Sequence, residues 1–149
     1  MPAKNELYNK EGLKPSYTDW PTRNNFLDAV VGCSIFTHLN EEDSLYYMDL
    51  IWNKLKQNGI ALLSFFLLNE TYSEKDFGST RWNFNKTYPE SKNWYYSSCL
   101  RIPESQIGVN MKGIEKLIKG KFIIQNIYEG SWKVKYGLFF QDILVLEKK

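Results

Sequence analysis

Two cysteines, Cys33 and Cys99, and a single histidine, His38, are all that 149 residues supply of those types. That scarcity argues against a disulfide framework and against a structural metal site. No run approaches the ~18 apolar residues of a membrane span. The opening "MPAKNELYNKEG" also lacks an apolar stretch of signal length. The expectation is a soluble, unsecreted protein of the reducing cytoplasm with no membrane partner. Neither sign of charge dominates, since 19 Lys and Arg against 17 Asp and Glu leave a net charge of +2. The lysines are scattered, so no nucleic-acid partner is expected. Internal repeats and low-complexity segments are lacking as well. What is there is globular: 43% hydrophobic and 24% charged residues, enough for one domain over 1–149.

Residues 1–25 carry Gly12, Pro15, Pro21 and Asn24-Asn25, and read as a loop-like N-terminal arm. "FLDAVVGCSIF" then begins a near-continuous apolar run, as in a central strand covered on both faces, here Phe26–Cys33. Asn40 precedes Glu41, Glu42 and Asp43, a cap followed by acids that suit the helix dipole. Leu45, Met48, Trp52 and Leu55 form one stripe, Lys54 and Lys56 fall in the last turn, and Gly59 marks the stop. "IALLSFFLL", Ile60–Leu68, is a second buried strand, so a βαβ unit with parallel strands and a right-handed crossover is expected. Residues 69–105 lose periodicity and collect aromatics, and read either as a satellite cluster over one end of the sheet or as a substrate-capping lid. "GVNMKGIEKLIKG" reads as a short helix. "KFIIQNIYEG" and "GLFFQDILVLEKK" are joined by a link too short for a crossover and predict an antiparallel hairpin. The fold class is α/β.

The order of these segments carries a resemblance. Asp28 opening a strand, "SIFTHL" after it, "LKQNG" before "ALLSFFLLNE", then "ESQIGVNMKGIEKLI", "IYEGSW" and "GLFFQDILVLEK" resemble the C-terminal half of class I S-adenosylmethionine-dependent methyltransferases. "NELYNKEG" resembles the segment before that family's fourth strand. Gln57 and Asn58 stand where the family has Pro and Gly, and Leu27 where it has Phe. The resemblance implies strands four to seven of a Rossmann-like sheet closing in an antiparallel hairpin. It leaves no counterpart for the glycine-rich first strand or for the acid that binds the cofactor's ribose. A partial, truncated domain is thereby implied, either the C-terminal portion of a methyltransferase or a non-catalytic remnant or interaction module.

The same resemblance assigns Cys33 and Ser34, at the carboxyl end of the fourth strand, to the methionine portion of S-adenosylmethionine; both also suit a tight turn. Ligands of open α/β sheets sit outside the carboxyl ends of the strands. His38, before the helix cap, is a candidate to orient or deprotonate an acceptor, or else hydrogen-bonds within the turn. Asn69, Glu70, Trp132 and Tyr136 point to the same rim and are candidates for an acceptor pocket, with packing the alternative for Trp132. Methyl transfer is an in-line displacement that needs orientation and exclusion of water, so no metal is expected. The acceptor, a small molecule, is not specified. This chain alone is expected to bind S-adenosylmethionine weakly or not at all. Its open strand edge should lead to self-association or to pairing with the missing N-terminal half.

Overall fold

The computed structural model describes residues 11–12, 19–70, 72, 82–134 and 136–149. Its elements are β1 (Leu27–Gly32), α1 (Glu41–Lys54), β2 (Leu55–Leu68), β3 (Lys86–Thr87), β4 (Trp94–Tyr96), β5 (Ile107–Asn110), α2 (Met111–Ile118), β6 (Phe122–Tyr128) and β7 (Asp142–Lys148). The seven strands form one mixed sheet. β1 runs parallel to β2, with Val30 opposite Ala61 and Val31 opposite Leu62. β7 runs antiparallel along the other edge of β2, with Leu62 opposite Val145 and Leu63 opposite Leu144. β6 completes the C-terminal hairpin against β7. The expected βαβ unit and closing hairpin are therefore both present.

α1 starts where the cap residue says it should: the Asn40 side chain accepts a hydrogen bond from the Asp43 amide at 2.9 Å. It ends earlier than the sequence suggests. Leu55 is already extended, fully buried and opposite Leu27. The register with β1 then jumps from Leu55 to Ile60. Lys56, Gln57 and Asn58 bulge outward, Asn58 with φ of 61°. Gly59 is thus no helix stop. It sits in β2 where a Cβ would come within 2.9 Å of the Lys56 carbonyl oxygen and 3.3 Å of that of Asp28.

Two further readings are corrected. The segment read as one helix from Gly108 opens with β5, which pairs parallel with Phe66–Leu68 of β2, and the helix begins only at Met111 under an Asn110 cap. Residues 69–105 are not wholly irregular, because β4 pairs antiparallel with β5 and β3 with β4. Phe84, Trp132 and Phe66 form a second buried cluster with Tyr72 and Trp82 against it, which is the satellite-cluster reading; residues 71 and 73–81 lie outside the described residues.

The sheet is covered unequally. Ala61, Leu63, Phe65, Leu67, Leu144 and Leu146 point to one face and are at most 1% exposed, packed with Met48 and Ile51 of α1 and Ile114 and Leu117 of α2. The intervening residues point the other way, since side chains alternate along a strand. There Leu62, Ile143 and Val145 are half-buried, while Val31 is 62%, Ile123 46% and Tyr128 45% exposed. β1, expected to be covered on both faces, is instead an edge strand among the described residues: it pairs with β2 alone. Leu144→Ala is expected to cost about 2–5 kcal/mol and Asn40→Ala ~1 kcal/mol. Val31→Ala, by contrast, should fall within about 0.5 kcal/mol. Urea midpoints of the three variants at constant m check this ordering, and a large loss at Val31 would contradict the open edge.

Candidate functional site

At the carboxyl end of β1 the chain turns sharply. Ser34 adopts φ of 55°, a left-handed conformation that a side chain tolerates only when the surroundings hold it. Hydrogen bonds supply that hold. The Ser34 amide donates to Ser64 Oγ at 2.7 Å, the Ser64 hydroxyl donates to Gln141 Oε1 at 2.6 Å, and the Ser34 hydroxyl donates to the same oxygen at 3.1 Å. Three elements, the β1 turn, β2 and the start of β7, are thus fastened at one point. Cys33 and Ser34 are both exposed beside it, with Cys33 a free thiol.

One strand further along, the polar contacts go underground. Asp142 is fully buried. It accepts from the Gly130 amide at 2.8 Å, the Leu67 amide at 2.7 Å and Trp132 Nε1 at 2.8 Å. Lys133, whose side chain is also inaccessible, lies 3.0 Å from it. The ammonium further reaches Glu129 at 2.5 Å, the Leu67 carbonyl at 2.9 Å and Asn69 Oδ1 at 2.8 Å. Burial pushes the Asp142 carboxyl above its ordinary range, and the Lys133 charge and three N–H donors pull against it. The arrangement does mechanical work: Asp142 continues the ladder beyond the first residue of β7 by taking the Leu67 amide, and it pins the link between β6 and β7 onto the end of β2.

The residues singled out from the sequence fall as follows. Cys33, Ser34 and Asn69 share the carboxyl ends of β1 and β2. Asn69 is engaged with Glu129 and Lys133, while Glu70 beside it is exposed. Trp132 is buried and bonded to Asp142, and Tyr136 is 86% exposed in the same link. His38 is half-buried away from that link, its Nδ1 2.9 Å from the Glu104 carbonyl oxygen. A carbonyl only accepts, so Nδ1 carries the proton in that bond. Tyr88 in turn donates to the Glu104 carboxylate, and burial first, then that carboxylate, hold its hydroxyl well above the usual range. Sequence reasoning missed Ser64, Gln141, Lys133 and Asp142. The available signal was an acid and an amide, Gln141-Asp142, heading an otherwise apolar strand.

No protein-family model matches the chain. Several solved structures share its fold. A methyltransferase from Methanosarcina mazei described as S-adenosylmethionine-dependent superposes with a TM-score of 0.58 at 12% identity, over 95% of this chain and 70% of that one. A second S-adenosylmethionine-dependent methyltransferase, from Clostridium acetobutylicum ATCC 824, gives 0.50 at 14% identity, over 92% of this chain and 63% of that one. TnmH gives 0.56 at 11% identity, over 93% of this chain but only 34% of its own. The architecture is therefore a class I methyltransferase fold, and the chain spans about a third of TnmH and under two thirds of the Clostridium protein.

The buried pair gives a test. Lys133→Met strands the buried Asp142 carboxyl, while Asp142→Leu leaves Lys133 paired with Glu129 but orphans the Leu67, Gly130 and Trp132 N–H donors, so each should cost about 3–5 kcal/mol. The double variant should cost less than the sum. Urea unfolding of the four proteins reads the coupling, and strictly additive losses would show that the two groups do not depend on each other.

Proposed function

We propose that this chain forms one wall of an S-adenosylmethionine-dependent methyltransferase and, when the opposite wall is present, supports methyl transfer to a small-molecule acceptor. The observation that carries the reading is the exposed Cys33-Ser34 turn at the carboxyl end of a parallel strand, in a methyltransferase fold. Ligands of such sheets gather at this position. The residues present fit one side of the cofactor. The turn is rigid and accessible, and its small side chains let a ligand approach the backbone. The Ser34 hydroxyl and amide are already committed to Gln141 and Ser64, which leaves Cys33 and the turn's carbonyls to face the methionine portion.

The cofactor, when bound, supplies an activated methyl group on a sulfonium. This chain's contribution is orientation: the Asp142 network sets the link carrying Trp132 and Tyr136 at the rim, and Asn69 and Glu70 flank it. His38 Nε2 is the candidate base for an acidic acceptor, with the Nδ1 contact to Glu104 fixing the ring. A second reading, an interaction module without chemistry, is favoured by one observation: neither a glycine-rich cofactor turn nor a ribose-binding acid is recognisable in the sequence. Losing three contacts at about 1.4 kcal/mol each weakens binding roughly a thousandfold.

Calorimetric titration of S-adenosylmethionine into the 149-residue chain should therefore give no measurable heat. Co-expression with an amino-terminal methyltransferase half bearing the glycine-rich turn should produce binding, and Cys33→Trp should abolish it by filling the turn. Tight binding by the chain alone would contradict the one-wall reading, and binding indifferent to Cys33→Trp would move the cofactor elsewhere.

A further inference from the structure

Only one end of the Gln141 side chain is accounted for by the fold. Its Oε1 accepts the Ser64 hydroxyl at 2.6 Å and the Ser34 hydroxyl at 3.1 Å. Ser64 Oγ already receives the Ser34 amide, so its own proton has to leave toward Gln141, and within that amide only the carbonyl oxygen can take it. This fixes which way round the amide lies. Nε2, with its two N–H donors, is turned away from both serines. It has no partner among the described residues, and the side chain stays partly exposed.

The neighbourhood of that amide is apolar and uncharged. Ser34 is followed by Ile35, and Gln141 is preceded by Phe139 and Phe140, all about half exposed. The Ser34–Gln141 bond brings the two segments side by side. Phe140 stands edge-on to Trp82, with ring centres 5.2 Å apart, and edge-on to Phe66 at 6.1 Å. Neither residues 32–37 nor residues 136–141 contain a charged side chain.

We infer that Gln141 is a specificity-determining residue of the acceptor site: its Nε2 donates to an uncharged oxygen on an acceptor whose aromatic ring lies against Ile35, Phe139 and Phe140. The inference rests on the methyltransferase reading, which is what places an acceptor beside this turn. Pre-organisation carries it. An exposed glutamine ordinarily gives up rotamer freedom when it binds, whereas this one has already been fixed by two hydroxyls, so a hydrogen bond to Nε2 comes at little further entropic cost. A ring on Phe140 extends an edge-to-face stack that the fold has begun. Neutrality sets the rest of the class. A carboxylate on the acceptor would need a cation, and Lys133 in the adjoining network is buried and shared among Asp142, Glu129 and Asn69. A plain hydrocarbon would cover the N–H donors and leave them unpaired. A carbonyl, hydroxyl or ether oxygen avoids both penalties.

The test uses the 149-residue chain without cofactor. Acetophenone, ethylbenzene and benzoate share a ring and differ in what it carries: a neutral oxygen, none, or a charge. Each is titrated while heteronuclear NMR follows the Gln141 side-chain NH2 and the Ile35 and Phe140 amides. Acetophenone should shift these signals saturably and bind about fivefold tighter than either other probe. Gln141→Glu keeps an oxygen for both serine hydroxyls and deletes the N–H donors. It should therefore level acetophenone and ethylbenzene while Cys33, followed in a Cys99→Ser background, is alkylated at its unaltered rate. Gln141→Leu should level the probes and also speed Cys33 alkylation, because the turn is released. Equal binding of acetophenone and ethylbenzene by the natural sequence, tighter binding of benzoate, or no saturable shift with any probe overturns the inference. So does faster Cys33 alkylation in Gln141→Glu, which would mean that Nε2 is what holds the serines. Levelled probes in a chain that gains S-adenosylmethionine binding with an amino-terminal half would sink this inference alone. An acetophenone preference without such binding would sustain the oxygen-recognition site and sink the methyltransferase reading.

Discussion

β2 is the strand that β1, β5 and β7 all pair with. Its Ile60–Leu63 stretch carries β1 on one edge and β7 on the other, and its Phe66–Leu68 stretch carries β5 on the β1 side. A strand bonded along both edges has its register fixed twice over, and a slip of one residue would turn Ala61, Leu63, Phe65 and Leu67 from the helix-covered face to the bare one. The cost of that inversion is what specifies the fold. It also explains why β1 and β5 succeed one another along a single edge: the chain leaves β1 through the Phe36–His38 turn, whose Phe36 is buried, and this turn occupies the gap between the two strands.

The carboxyl end of β2 is where directional chemistry replaces packing. β7 begins opposite Phe65, so on that edge of β2 the Leu67 amide and carbonyl lie beyond the ladder. Asp142 and Lys133 take those two groups, one accepting and the other donating. Buried backbone groups left unpaired are costly, and the pair satisfies them while fastening the long connection between β6 and β7. The Lys133 ammonium, shared with Glu129, offsets part of the cost of burying the Asp142 carboxyl.

Much of this was legible from the sequence, and the failures share a cause. β1, β2 and α1 announce themselves through length: continuous apolar runs and an Asn cap followed by acids survive without tertiary context. β3 and β4, of two and three residues, are shorter than any period, and β5 runs straight into the Asn110 cap, so Gly108–Asn110 read as the opening of α2. The turn at Cys33-Ser34 was singled out because the family resemblance places it at the carboxyl end of a strand, and both residues also suit a tight turn. Its partners Ser64 and Gln141 were not, since what joins them is sheet register, which brings residues distant in sequence into one hydrogen-bond chain. The continuous apolar run in β1 predicted two covered faces, and the described residues cover one.

A sheet with helices on one face and an open edge strand among the described residues divides its labour unequally. The covered face supplies stability: α1 and α2 bury the aliphatic residues of β2 and β7 there, at about 25 cal/mol for each Å² removed from water. The opposite face is covered only towards the carboxyl end of β2, where Phe66 packs with Phe84 and Trp132, and the exposed remainder around Val31 contributes little to folding. Val31 illustrates the point, being branched, apolar and 62% exposed in the middle of a parallel strand. The Cys33-Ser34 turn lies at the end of this same strand. The hydrogen bonds from Ser34 through Ser64 to Gln141 therefore fasten the end of the very strand whose outer edge is unpaired among the described residues, and they tie that strand to β2 and to the start of β7.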